Sequence, residues 1–239
     1  IQAFNIAEEL QLPVIILSDS QLSLGKQTVE PFDYSKIEIR RGRLMDNEEL
    51  PETEDKSYFK RYEVTEDGIS PRVLPGMKHA IHHVTGVEHD ETGKPSEAAL
   101  NRQAQMDKRM KKLKFVNFDE PVYVNAPHEE ADILFVGFNS TRGVLEELQQ
   151  TLNDNGVKVN HAHIRLIHPF PTEQMQPLVA KAKKVVVVEN NATGQLANII
   201  KMNVGGHDKI VSVLKYDGTP FLPLSLAKQV KEMLTDGNI

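Results

Sequence analysis

The residues best equipped for chemistry gather in one stretch, Gly68–Glu97, GISPRVLPGMKHAIHHVTGVEHDETGKPSE, which holds four of the nine histidines (His79, His82, His83 and His89). The same thirty residues carry a Ser70-Pro71-Arg72 step and further prolines at 75 and 95. Imidazoles bind metals or move protons near neutral pH, and a planar guanidinium grips carboxylates or phosphates. His79 and His83 have the i, i+4 spacing of a helical metal pair, but no H-E-x-x-H pattern accompanies them. Neither strict alternation nor a 3.6-residue stripe runs through the segment, so it reads as irregular. Irregular stretches of this length inside compact domains are uncommon and, when ordered, usually functional. Prolines fix their own φ and push the preceding residue towards extended conformations, so a stiff loop is expected rather than a solvated linker.

Other candidates are weaker. Asn139–Gly143 (NSTRG) stands before a predicted helix and could cradle an anion with backbone amides and Arg142. It matches neither G-x-G-x-x-G nor a Walker pattern, and Ser140 or Thr141 is equally explained as an N-cap. His161 and His163 alternate along a predicted strand, which puts both on one sheet face, where packing or hydrogen bonding accounts for them. The basic cluster Lys108-Arg109-Met110-Lys111-Lys112 is expected to be a solvated helix face. No nucleophile, base and orienting group can be assembled, so the chain alone does not read as a self-sufficient enzyme.

The elements that must position these residues follow from pattern. Ile1–Leu10 reads as a helix, and Leu12–Leu17 (LPVIIL) as a buried parallel strand whose partners lie elsewhere. Residues 40–66 read as a charged surface excursion punctuated by Gly42 and Pro51, with Tyr58, Phe59 and Tyr62 as anchors. Ser96 is expected to cap a polar helix over Glu97–Leu113, with Met106, Met110 and Leu113 on one face. From Ala131 the pattern alternates cleanly. Strands are expected at 133–138, 157–166, 184–189 and 209–215, and helices at 141–155, 172–182, 193–203 and 223–234. That is a three-layer α/β domain with a mainly parallel sheet, whose ligands would gather at the carboxyl ends of the strands. Those ends carry Asn139–Gly143, His168–Pro171, Glu189–Gly194 and Tyr216–Gly218.

Composition narrows the class. A net charge of −6 with no basic, aromatic-interleaved run argues against nucleic acid as a partner. Apolar runs no longer than Val14–Leu17 or Val185–Val188 cannot span a bilayer. With no cysteine and no signal peptide, the expectation is a cytoplasmic protein without disulfides or thiolate-bound metal in this chain.

The segments PVIILSDSQLSLGKQTVEPFD, FKRYEVTEDGISPRVLPG and TGVEHDETGKPSE, with the ADILFVGFNSTRG, HPFP and VVVVENNATGQL series, resemble the 2-oxoacid:ferredoxin oxidoreductases. More narrowly, they resemble the carboxy-terminal part of the alpha subunit of the 2-oxoglutarate-type enzyme. The resemblance covers practically the whole chain, and GISPR and TGxEHDExG are its specific motifs. It implies that residues 1–40 end the domain facing the thiamine pyrimidine ring and that 41–125 form an inter-domain linker with the GISPR/EHDETG loop. Residues 126–239 would form a transketolase C-terminal-like domain, and a further upstream region would carry the pyrimidine-contacting residues.

The resemblance also implies a division of labour. A beta subunit holds thiamine diphosphate, Mg2+ and a [4Fe–4S] cluster, none of them bound by this chain alone. The 2-oxoacid is oxidatively decarboxylated to an acyl-coenzyme A, and its electrons pass to ferredoxin. An anionic substrate calls for a guanidinium near its carboxylates. Arg72, the one arginine of the central loop, is the candidate, with Ser70 as its neighbouring donor. Two other readings stay open: a non-catalytic α/β domain that holds a partner subunit, and a nucleotide- or anion-binding module using Asn139–Gly143 or Ala192–Gly194.

Overall fold

The computed structural model describes residues 1–46, 48, 50 and 58–235. Its contacts fall into two units, Ile1–Ile16 with Val29–Asn117 and Leu17–Thr28 with Phe118–Ile239. In chain order the helices are α1 (Gln2–Leu10), α2 (Ser20–Leu24), α3 (Ala99–Lys111), α4 (Arg142–Asp154), α5 (Thr172–Lys181), α6 (Gln195–Val204) and α7 (Pro223–Thr235). The strands are β1 (Val122–Asn125), β2 (Ala131–Phe138), β3 (Val159–Ile164), β4 (Ala182–Glu189) and β5 (Ile210–Leu214). Among the described residues no helix is long and apolar enough to cross a membrane.

The second unit is the expected three-layer α/β domain with a mainly parallel sheet, ordered β1-β3-β2-β4-β5. Its runs of Val, Ile and Leu suit strands buried on both faces, and alternate residues of one strand serve opposite cores. Leu134, Val136, Val185 and Val187 face a core completed by Met175, Val179, Leu196 and Ile200 of α5 and α6. Ile133, Phe135, Val186 and Val188 face the other, filled by Leu145, Leu148 and Leu152 of α4 and by Leu226 and Val230 of α7. Each such side chain, buried in full, contributes about 1.5–3 kcal/mol of transfer free energy. The antiparallel edge strand β1, paired with β3, escaped the pattern because four residues after Pro121 are too short to show a period. The sheet order reverses between β2 and β4, so the crevice at their carboxyl ends is where such folds admit ligands.

The first unit is built differently. Its apolar cluster is small, with Leu50, Val73 and Ala80 buried and Met45, Phe59 and Met77 packed around them. Asn5 of α1 ties down the following chain, donating to the Glu38 carbonyl at 2.8 Å and accepting from the Arg40 amide at 3.0 Å. Leu12–Leu17, expected as a buried strand whose partners lie elsewhere, pairs with nothing among the described residues, and Ile15 and Ile16 are 80% and 76% exposed. Pro13 donates no hydrogen bond, and an isolated strand has no ladder to satisfy its amides. Pro51, expected to punctuate the 40–66 excursion, lies outside the described residues.

His161 and His163 of β3 share one face, as their alternation required, and both are buried. Packing alone holds His161, whereas His163 also hydrogen-bonds the Asn139 backbone. Their rings meet edge to face at 5.7 Å, Tyr123 lies 6.2 Å from His161, and both nitrogens of His161 and Nδ1 of His163 lack a hydrogen-bond partner. Burial first, then repulsion from His163 and Arg142 on His161 and from Arg142 and Arg165 on His163, holds both imidazoles down at about 4. Above their ordinary 6.5 both are neutral whether the chain is folded or not. As pH falls from 6.5 towards 4, only the unfolded chain takes up protons, so the fold loses up to ~1.4 kcal/mol per pH unit for each ring. Urea unfolding of the chain between pH 7 and 4 should show this slope, and His161→Leu should roughly halve it; an unchanged slope would refute the assignment.

Candidate functional site

The central loop is ordered because it zips onto the segment before it. Phe59, Tyr62 and His83 amides donate to the carbonyls of Ile81, Glu91 and Thr92 at 2.7, 2.8 and 3.0 Å. Rings follow the backbone: Tyr58 meets His83 at 4.6 Å, Phe59 meets His82 at 6.1 Å and Tyr62 meets His89 at 4.1 Å. Those three histidines therefore serve as packing partners of the three expected anchors. The metal-pair spacing of His79 and His83 is void here, since His79 takes a left-handed φ of 57° outside any helix. Among the described residues no three His, Asp or Glu side chains are grouped to hold a metal ion. Gly93 shows why the turn needs glycine: with φ of 85°, a Cβ would stand 1.9 Å from the His83 carbonyl oxygen.

The EHDETG motif docks this loop onto α3. Asp90 Oδ1 closes the turn, accepting from the Thr92 amide and hydroxyl and the Lys94 amide at 2.8, 2.7 and 3.1 Å. Glu88 receives Arg109 through both guanidinium nitrogens, at 3.0 and 2.6 Å, and Arg102 at 3.1 Å. Helix α3 itself begins at Ala99 after an Ala98 cap without a side-chain bond, so neither the Glu97 start nor the Ser96 cap is found. Its buried face is not the methionine stripe. Met106 and Met110 are exposed, whereas Gln105, Lys108 and Lys112, one helical stripe, are buried. The basic cluster expected to face solvent thus turns two lysines inward.

Around those lysines several positive charges act on one another: Arg61, Lys108, Arg109 and Lys112. Gln11, at φ 52° just after α1, is the hub: its Oε1 accepts from Arg61 Nη1 at 2.7 Å and its carbonyl from Lys112 Nζ at 3.2 Å. Its Nε2 donates to the Ser70 carbonyl at 2.6 Å. Burial pushes the Lys108 ammonium down to about 8, helped by Lys112, Arg61 and Arg109, with only Glu91 opposing. Burial likewise lowers Lys112 and Arg61, neither with an opposing carboxylate. Arg72 lies beside this group, close enough to lower Arg61 further. Its Nη2 donates to Glu8 Oε2 at 2.7 Å and to the Arg41 carbonyl at 2.8 Å, while its Nε is buried without a partner. Ser70 is buried, and its hydroxyl donates to the Glu63 carbonyl at 2.9 Å. The sequence singled out Arg72 and Ser70 but not Lys108, Lys112, Arg61 or Gln11. The available signal was the polar stripe 105–108–112 where an amphipathic helix would carry apolar residues.

The strand ends of the second unit are closed by the chain's own side chains. The Ser140 amide donates to Asp19 Oδ2 at 3.0 Å, and Thr141 turns its hydroxyl to the Phe138 carbonyl at 2.8 Å, so neither residue caps α4. Burial raises the Asp19 carboxyl, but bonds from Ser140, Leu22 and Gln21 outweigh it and hold it below its ordinary value. Arg142 pairs with Glu146 at 2.8 Å and stacks 3.8 Å over Tyr123. At α6 the fully buried Glu189 accepts from the Leu196 and Ala197 amides at 2.7 and 3.0 Å. Asn191 Oδ1 takes the Thr193 and Gly194 amides at 3.0 and 2.8 Å. The Ser140 amide before α4 and the first amides of α6 are therefore engaged from within. An open depression of ≈ 390 Å³ remains beside the end of β5, lined by Lys215, Thr219, Phe221, Leu222 and Gln229.

A family profile described as pyruvate:ferredoxin oxidoreductase core domain II matches residues 131–223. Over 99% of its length the chain is 37% identical to 2-oxoacid:ferredoxin oxidoreductase 2, subunit alpha, of Aeropyrum pernix, of which it covers 36%. It is 26% identical, over 96% of its length, to a 2-oxoglutarate synthase subunit of Methanocaldococcus jannaschii, covering 58% of it. Among solved structures it superposes with a TM-score of 0.82 and 34% identity on the 2-oxoglutarate:ferredoxin oxidoreductase of Magnetococcus marinus, described with 2-oxoglutarate, coenzyme A and succinyl-CoA bound. That match covers 95% of this chain and 38% of the other.

The Glu88–Arg109 fork should be a measurable part of the first unit's stability. Hydrogen bonds to charged groups contribute about 1.5–3 kcal/mol, so Glu88→Gln should lower the urea midpoint at neutral pH without changing the far-ultraviolet circular dichroism. The Arg109 hydrogen bonds hold the Glu88 carboxyl down at about 2, so its contribution is complete above its ordinary 4.5 and fades as pH falls from there towards 2. The difference between parent and variant should shrink over that window; a constant gap would show that the charge does not matter.

Proposed function

Since the chain belongs to the 2-oxoacid:ferredoxin oxidoreductase alpha-subunit family, we propose that it is the carboxy-terminal part of an alpha subunit of an enzyme acting on an anionic 2-oxoacid, 2-oxoglutarate being the favoured one. The observation that carries this is the likeness along 95% of the chain to a solved oxidoreductase described with that substrate. The chain spans 36% of the Aeropyrum pernix subunit, so the activity is that of the larger assembly. That assembly includes a beta subunit, coenzyme A as acyl acceptor and ferredoxin as electron acceptor, in the cytoplasm. Bound thiamine diphosphate would supply the carbanion chemistry, with Mg2+ to anchor it and an iron–sulfur cluster to accept electrons. This chain offers no thiolate, which supports allotting the cluster to the beta subunit.

Within the chain we assign residues 1–40 to the end of a pyrimidine-facing domain, 41–125 to the connecting module and 126–239 to a transketolase C-terminal-like domain. The engaged amides at the start of α6, and that of Ser140 before α4, argue against a free-standing nucleotide-binding module. Arg72 is the residue we assign to a substrate carboxylate. Its guanidinium pairs with the Glu8 carboxylate through Nη2, and that affinity for a carboxylate is what supports the assignment. Ser70 acts by fixing the backbone before it, its proton being committed to Glu63.

The test is kinetic, on the assembled enzyme with 2-oxoacid varied and coenzyme A saturating. Losing a charge-assisted hydrogen bond costs about 1.5–3 kcal/mol, so Arg72→Ala should lower kcat/KM for the 2-oxoacid by roughly ten- to hundredfold while the KM for coenzyme A stays put. Arg72→Lys keeps the charge without the fork and should recover only part of the loss. A kcat/KM within about twofold of the parent, with a less stable complex, would make Arg72 a structural partner of Glu8 instead.

A further inference from the structure

Three cations of the first unit, Arg61, Lys108 and Lys112, converge, and among the described residues the one carboxylate that acts on them is Glu91, on Lys108. Arg61 and Lys112 both end on Gln11, 2.7 Å from its Oε1 and 3.2 Å from its carbonyl oxygen. Arg61 and Lys108 both lie over the Tyr62 ring, 5.4 and 5.8 Å from its centroid. Carboxylates nearby are already engaged: Glu91 by Lys60 at 2.9 Å, and Glu88 by Arg102 and Arg109. Lys108 is only 4% exposed and Lys112 7%, and among the described residues neither they nor Arg61 form an ion pair.

Buried charge is costly unless it is paired and hydrogen-bonded, and here the nearest compensation is a ring face and two amide oxygens. We propose that Arg61, Lys108 and Lys112 form a binding site for a small multivalent oxyanion, walled by Gln11 and Tyr62. Two ammonium groups and one guanidinium supply charge-assisted donors, the chemistry that a dianion neutralises best. A phosphate-bearing molecule and a short dicarboxylate share this chemistry. The site rests on the geometry of the first unit and not on the oxidative reaction, so each can fail without the other.

Titration calorimetry on the 239-residue chain, at constant ionic strength set by chloride, tests it with inorganic pyrophosphate and, separately, glutarate. At least one should bind saturably at neutral pH, and the tighter of the two identifies the source as phosphate- or carboxylate-bearing. Lys108 faces Lys112, Arg61 and Arg109 against Glu91 alone, and titrates at about 8 without the anion. Binding near that pH should therefore take up protons, read as a dependence of the heat on the buffer's ionisation enthalpy. Lys108→Met should weaken binding by about tenfold or more. The proton-uptake measurement on the unsubstituted chain stands even if that variant does not fold. No saturable heat well above ~1 mM of either anion, binding without proton uptake, or an unchanged Kd in Lys108→Met would each overturn the site.

Discussion

Desolvated positive charge is the constraint around which the first unit is built. Lys108 and Lys112 enter its interior from one face of α3, and Arg61 meets them from the segment that the central loop zips onto. With so small an apolar cluster, the unit cannot be held by transfer free energy alone. Its coherence comes from directed polar contacts: Gln11 answering three groups at once, Asn5 binding the chain at 38–40, and Glu88 gripping Arg109 and Arg102. Such contacts are geometrically demanding, and leaving one partner buried alone costs more than making the pair gains. Backbone also approaches closely where this unit turns: at Gly68, with φ of 82°, a Cβ would stand 2.3 Å from the Lys108 carbonyl oxygen.

The second unit solves the opposite problem. Its core is abundant, and the groups that need satisfying are the free amides at helix starts. Asp19, Glu189 and Asn191 meet them, so positive helix ends that could have attracted a ligand are met by the protein itself. The crevice at the sheet's reversal point has a ligand site's position without its donors free. For an α/β domain in a multisubunit family, that is consistent with a scaffold whose chemistry is completed by other parts of the assembly.

The positional logic of the central loop changes how its histidines are understood. Read along the sequence, four imidazoles in thirty residues suggest metal or proton chemistry. In space, His82, His83 and His89 pair one by one with Phe59, Tyr58 and Tyr62, and Arg72 sits apart from them against Glu8.

The sequence by itself determined the α/β architecture from Ala131 onward, because period and apolar runs are local properties that survive any arrangement of neighbours. Motifs such as GISPR and TGVEHDETG likewise carried the family resemblance, and Arg72 was legible as the loop's one permanently charged fork. Tertiary structure alone decided which charges are buried. The KRMKK run has the composition of a solvated face, yet Lys108 and Lys112 turn inward because Gln11 and Tyr62, about a hundred and about fifty residues away in the chain, arrive against that side of α3. LPVIIL shows the same dependence, since a strand is a relation between segments and no described segment pairs with it. Local pattern records a residue's own preferences; burial and pairing are fixed by what long-range contacts bring beside it.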